Sequence, residues 1–171
     1  MRTGLLVLLL TGVLLMSGCG PDDSGSEAAQ ERELKATRAR VLDDLTAVLG
    51  DLTASLPARL RFTQGNYERC AGDLEGASGY VYSVNGRLDL DGAGGPRDLA
   101  TVEETLRRAG FAVTSPVATS REGTRAGLAV RVSTVAGQPA LLFSGGTDDC
   151  FEVGRDRAAA YSTERDPIRL G

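Results

Sequence analysis

Between residues 28 and 56 the apolar side chains Leu34, Val41, Leu42, Leu45, Val48, Leu49, Leu52 and Leu56 recur at spacings of three and four, with Arg32, Lys35, Arg38, Asp43, Asp44 and Asp51 between them. That period sets the leucines on one stripe of an amphipathic helix, which tolerates Gly50 at a cost of about 1 kcal/mol and stops at Pro57. A domain this small needs the stripe for its own core. The period then falls to two. Leu60 and Phe62 alternate with Arg59, Arg61 and Thr63 in a first strand that leads to Cys70. Beyond a glycine-rich stretch, Tyr80, Tyr82, Val84, Leu88 and Leu90 all fall on even positions, although Asn85-Gly86 in their midst is a strong hairpin signal. A two-residue hairpin would set Val84, Tyr82 and Tyr80 beside Arg87, Asp89 and Asp91. One continuous strand, bulged at Gly86, keeps every apolar residue on one side and is the predicted arrangement.

Pro96 suits the first turn of a second helix, whose stripe of Leu99, Val102, Leu106 and Ala109 is closed by Gly110. Residues 111–117 then read as a strand, 120–124 as a turn, 128–135 as a strand and Gly137-Gln138-Pro139 as another turn. Residues 140–144 are apolar on both faces and therefore central in a sheet, with 150–153 continuing the strand after a Gly145-Gly146 break. The charged tail around Ala158-Ala159-Ala160-Tyr161 reads as a short helix or a frayed end. The expected fold is α+β: an antiparallel sheet of about five strands with two helices on one face, in the order α-β-β-α-β-β-β.

Composition narrows the chemistry. The 171 residues hold 42% hydrophobic and 25% charged side chains, which suits one folded domain plus short appendages, and they include no His and no Trp. Without imidazole there is no Ser-His-Asp or Cys-His catalysis and no His-ligated zinc. The net charge of −4 argues against nucleic acid, which needs a clustered basic surface.

The N-terminus carries the clearest motif. Arg2 precedes an apolar run from Gly4 to Met16 that is too short to span a bilayer, and the run ends in Leu15-Met16-Ser17-Gly18-Cys19. This resembles the lipobox of bacterial lipoproteins. The resemblance implies that residues 1–18 are a signal peptide and that Cys19 becomes the lipidated N-terminus, its sulfur carrying a diacylglyceryl group. Two acyl chains give stable anchoring where one does not. Residues 19–31, small, polar and acidic after Cys19, are expected to form a flexible tether, and residues 32–171 a single domain. Arg far outnumbers Lys, and Ala, Gly, Leu, Asp and Val dominate, so the chain is similar in plan to the small cell-envelope lipoproteins of high-GC actinobacteria.

In an exported domain the remaining cysteines, Cys70 and Cys150, are expected to form a structural disulfide. No reactive Cys-x-x-Cys pair is present. The carboxylate pairs Asp43-Asp44, Glu103-Glu104 and Asp148-Asp149 are adjacent in sequence, which does not make them face one another as a glycosidase requires. Gly145-Gly146-Thr147-Asp148-Asp149-Cys150 is the richest local cluster, but it lacks EF-hand spacing, and a loop that seats a disulfide accounts for its glycines and acids equally well. Lys35 is the sole lysine, out of reach of a Ser-Lys dyad, and no phosphate loop is present. Tyr67, Tyr80, Tyr82 and Tyr161 read as core rather than as a ligand groove. No catalytic residue, metal or cofactor is expected. The reading is a non-enzymatic binding or scaffolding domain anchored at the extracytoplasmic face of the cell membrane, with an envelope protein as partner. Two alternatives are a small-ligand or lipid carrier, which needs an apolar pocket between helix and sheet, and a carboxylate-dependent cell-wall enzyme, which needs facing acids.

Overall fold

In a computed structural model that describes residues 23–70, 79–92 and 94–167, the first apolar stripe lies on one long helix, α1 (Asp23–Ser55). Leu34, Val41, Leu45, Val48, Leu49, Leu52 and Leu56 are all buried. The helix starts earlier than its leucines suggest, so the acidic segment expected to be a flexible tether as far as Glu31 is helical from Asp23 onward. Its polar residues find partners rather than apolar cover: the Gln30 side chain accepts a hydrogen bond from the Glu152 backbone N–H at 2.7 Å.

β1 (Ala58–Arg69) and β2 (Gly79–Leu90) pair antiparallel over their full lengths. β2 runs unbroken through Asn85-Gly86, with Tyr80, Tyr82, Val84, Leu88 and Leu90 buried on one face. Gly86 shares that face because the Phe143 ring occupies the place of its side chain. The irregularity expected at Gly86 sits instead on the partner strand. Pairing passes from Leu60 opposite Leu88 to Phe62 opposite Arg87, leaving Arg61 extra. This bulge turns Phe62 away from the face that Leu60 occupies.

α2 (Pro96–Arg108) begins with the Gly95 N–H donating to the Asp98 carboxylate at 2.8 Å and ends at Gly110, whose φ of 85° suits glycine. β3 (Ala112–Thr114) is shorter than the expected strand. β4 (Ser120–Arg125) replaces the expected turn, paired with β3 on one side and with β5 (Leu128–Thr134) on the other. Its inward positions carry Arg121, Gly123 and Arg125, which explains the missing apolar signal. Arg121 pairs with Glu103 of α2 at 2.8 Å, while Arg125 pairs with Asp44 of α1 at 2.8 Å and lies 4.5 Å above the Phe111 ring.

β6 (Ala140–Thr147) lies centrally between β5 and β2, as its two-sided apolar pattern predicts. Gly145-Gly146 does not break it. A Cβ at Gly145 would fall 2.7 Å from the Leu45 side chain, so this glycine lets α1 settle onto the sheet. β7 (Phe151–Glu152) is therefore not a continuation of β6 but a short separate strand paired with Gly79 and Tyr80. α3 (Arg155–Tyr161) and β8 (Arg165–Pro167) are the last described elements, β8 pairing with Gln64–Asn66 of β1. Among the described residues the sheet has eight strands rather than about five, in the order β3-β4-β5-β6-β2-β1-β8 with β7 beside β2, and a third helix joins the two expected. The α+β architecture and antiparallel pairing stand as read, and the helices share one face.

Candidate functional site

Among the described residues every helix lies on one side of the sheet, and no described element covers the opposite face. Its positions are the alternates of the buried ones. Cross-strand register lines up Asn66, Ser83, Gly146, Ala129 and Thr124 in one row of small side chains. A neighbouring row holds Asn85, Ser144, Arg131 and Glu122. The result is a groove of about 470 Å3 floored by Ser83, Asn85, Ser144 and Gly146, with Glu68 on one wall and Glu122 on the other.

Its polar groups are held in place. Glu68 accepts hydrogen bonds from the Asn66 amide at 2.7 Å and the Ser83 hydroxyl at 2.5 Å. Arg131 pairs with Glu122 at 2.7 Å across β5 and β4. Asp148, at the end of the groove, is exposed and has no ion pair among the described residues. Three carboxylates and one guanidinium leave the groove acidic.

One row farther along the strands, the open face changes character. The β1 bulge places Phe62 opposite Arg87, and Arg87 is opposite Leu142 of β6. Phe62 is 51% exposed and Leu142 45%, two of the three large apolar side chains most open to solvent among the described residues. Arg87 is fixed between them by Asp89 at 2.6 Å and by the Gln138 side chain at 2.9 Å. This end of the open face thus carries an exposed aromatic and an exposed aliphatic side chain on either side of Arg87.

Of the residues singled out in the sequence, Gly145, Gly146, Thr147 and Asp148 line this groove, and the others fall elsewhere. Cys19 and the signal segment lie outside the described residues. Cys70 and Cys150 form the disulfide, with an S–S distance of 2.00 Å and a Cα separation of 6.0 Å, joining the end of β1 to the approach to β7. The four tyrosines are buried, Tyr67 meeting Tyr82 and Tyr161 edge to face with centroids 5.1 and 4.6 Å apart. Asp44 and Glu103 serve the arginines of β4, and Glu104 lies beside Arg108 on the outer surface of α2. Among the described residues no group of three or more His, Cys, Asp or Glu side chains could hold a metal.

A second polar cluster ties α1 to the C-terminal segment. The Glu31 carboxylate accepts from Lys35 at 2.8 Å, Arg157 at 2.7 Å and the buried Tyr161 hydroxyl at 2.9 Å. The Lys35 hydrogen bond, helped by those of Tyr161 and the charge of Arg157, holds the Glu31 carboxyl below its ordinary value. Burial, and then the hydrogen bond to Glu31, push the Tyr161 phenol well above its own. The Tyr80 hydroxyl adds a bond to the Ala158 carbonyl at 2.8 Å. This cluster is structural.

The groove presents hydrogen-bonding groups and net negative charge, with Phe62 and Leu142 exposed beside it. The space where a carrier would keep its ligand, between α1 and the sheet, is filled by Leu45, Leu49 and Leu52 against Val84, Leu88 and Leu141, all essentially inaccessible to solvent. No known protein family matches the chain, and no curated protein or solved structure compared with it is similar to it.

Proposed function

We propose that this protein is a cell-envelope lipoprotein, held at the extracytoplasmic face of the membrane by a diacylglyceryl group on Cys19, whose domain binds an envelope protein through the open face of its sheet. The helix layer and the core serve to present that face. One observation carries the binding reading: the β1 bulge turns Phe62 out beside Leu142 on a face whose remaining positions form an acidic polar groove. Bulges that re-aim one side chain occur beside binding sites as well as at sheet edges, and an exposed aromatic beside ordered polar groups supplies the kind of anchor that binding hot spots use. The lipobox at Leu15-Met16-Ser17-Gly18-Cys19 supports the anchor.

Two variants test the parts separately. Cys19→Ala should move the protein from the membrane to the soluble fraction, and its retention on membranes would remove the anchor from the account. The double variant Ala129→Arg/Ser144→Arg fills the groove without touching the core. It should fold with an unchanged circular dichroism spectrum yet lose the partner that crosslinks to the wild type in cells. Equal capture by both would place the binding surface elsewhere.

A further inference from the structure

The docking of α1 gives the domain a direction. From Glu27 onward the helix is fastened at its start: Gly154 lies against the Glu27 carboxylate, Gln30 takes the β7 backbone, and Glu31 takes Arg157 and Tyr161. Its far end runs into the opposite edge of the domain, where Pro57 accepts a hydrogen bond from Asp91 and Leu90 bonds to Pro139. The helix of 33 residues is about 50 Å long at 1.5 Å per residue. Cys19 precedes Asp23 by four residues, a reach of about 14 Å when fully extended. Even if the helix unwound as far as Glu27, the leash would grow to only about 28 Å.

We propose that the end of the domain built from β7, α3 and the Cys70–Cys150 bridge faces the bilayer, and that the end built from the α1 to β1 turn and the β5 to β6 turn points away from it. This rests on lipidation at Cys19. Turning the domain over would put the start of α1 roughly 40–50 Å above the headgroups, beyond any extension of the leash. The near end exposes Asp148, Asp149, Glu152 and Asp156 against Arg69 and Arg157, a net negative surface that anionic headgroups repel over about a Debye length, so the domain stands off the lipid. The acidic groove then opens sideways, with its Asp148 and Glu68 end nearest the lipid. Phe62 and Leu142 lie about 20 Å farther out, six residues along the strands at about 3.4 Å each. A partner must therefore approach laterally, within the layer next to the membrane.

The test uses the full lipidated protein in vesicles of phosphatidylethanolamine and phosphatidylglycerol that carry a rhodamine headgroup acceptor. A fluorescent amino acid replaces Asp149 in one form and Ala136, in the far turn, in another. Energy transfer at least twofold stronger from position 149 is expected. Equal transfer, or stronger transfer from position 136, in protein that floats with the vesicles overturns the orientation while leaving the anchor intact. Failure of the lipidated protein to float any better than Cys19→Ala overturns the anchor and the orientation with it.

Discussion

Replacing Cys70 and Cys150 together by serine perturbs the unfolded chain more than the folded one. The bridge closes a loop spanning 80 residues. Cys150 is exposed and Cys70 only half-buried, and neither belongs to the core cluster, so the folded state loses little packing. What is lost is the restriction on the denatured ensemble. For a loop of this length the chain-entropy relation gives about 4.5 kcal/mol at 25 °C, which is a large share of the roughly 5–15 kcal/mol that holds a domain folded. At about 2–4 °C per kcal/mol for a domain of this size, the double-serine protein should melt roughly 9–18 °C below the wild type. Urea unfolding of the two proteins, followed by circular dichroism, reads the effect directly. The midpoint should fall, and the slope should rise because the unbridged denatured chain exposes more surface. A stability loss below about 1 kcal/mol with an unchanged slope would refute the argument that the bridge acts through the unfolded state.

Three further outcomes follow from the packing. Gly145→Val forces branched methyls into the Leu45 side chain, which a Cβ alone would already approach to 2.7 Å, and should cost about 1–3 kcal/mol in urea unfolding. Glu31 has a folded pKa below its ordinary 4.5, so its contribution is present above that pH and is lost as pH falls through the depressed value. Glu31→Gln should therefore lower stability by about 1 kcal/mol at pH 7, the gap to the wild type closing on acidification below about pH 4; a gap independent of pH would show that the carboxylate charge is not what binds α3. Phe62→Ser should cost about 1 kcal/mol or less, because the ring is half exposed and lies outside the core cluster, while weakening partner capture; a loss of about 3 kcal/mol or more would make Phe62 a core residue.

Much of the scaffold was legible because it is written in apolar periodicity. The leucine stripe of α1, the even-numbered run of β2 and the central position of β6 each follow from burying a stated set of side chains, and Cys70 and Cys150 form the bond expected of them. The parts that escaped are those where something other than an apolar residue does the covering. β4 hides its strand because Arg121 and Arg125 fill its inward positions with stems and ion pairs. The first turns of α1 look like a tether because Gln30 and Glu31 are satisfied by partners more than a hundred residues away. The open face escaped for a different reason. Ser83, Asn85, Ala129 and Ser144 occupy outward positions that any solvated strand fills with polar or small residues, and only the register of five strands gathers them into one groove. Phe62 alternates regularly with Leu60 in sequence, which sets the two on one face; the bulge that leaves Arg61 extra puts Phe62 on the other, and nothing in the alternation signals it.

The account stands or falls on which face of the sheet meets a partner. A photoreactive amino acid placed at Ser83, on the groove floor, or at Ala47, on the outer side of α1, and irradiated in intact cells answers this most directly. A single crosslinked protein species from position 83, absent from position 47 and abolished by Cys19→Ala, is the predicted result. The same species formed equally well from position 47, or from 47 alone, would contradict it.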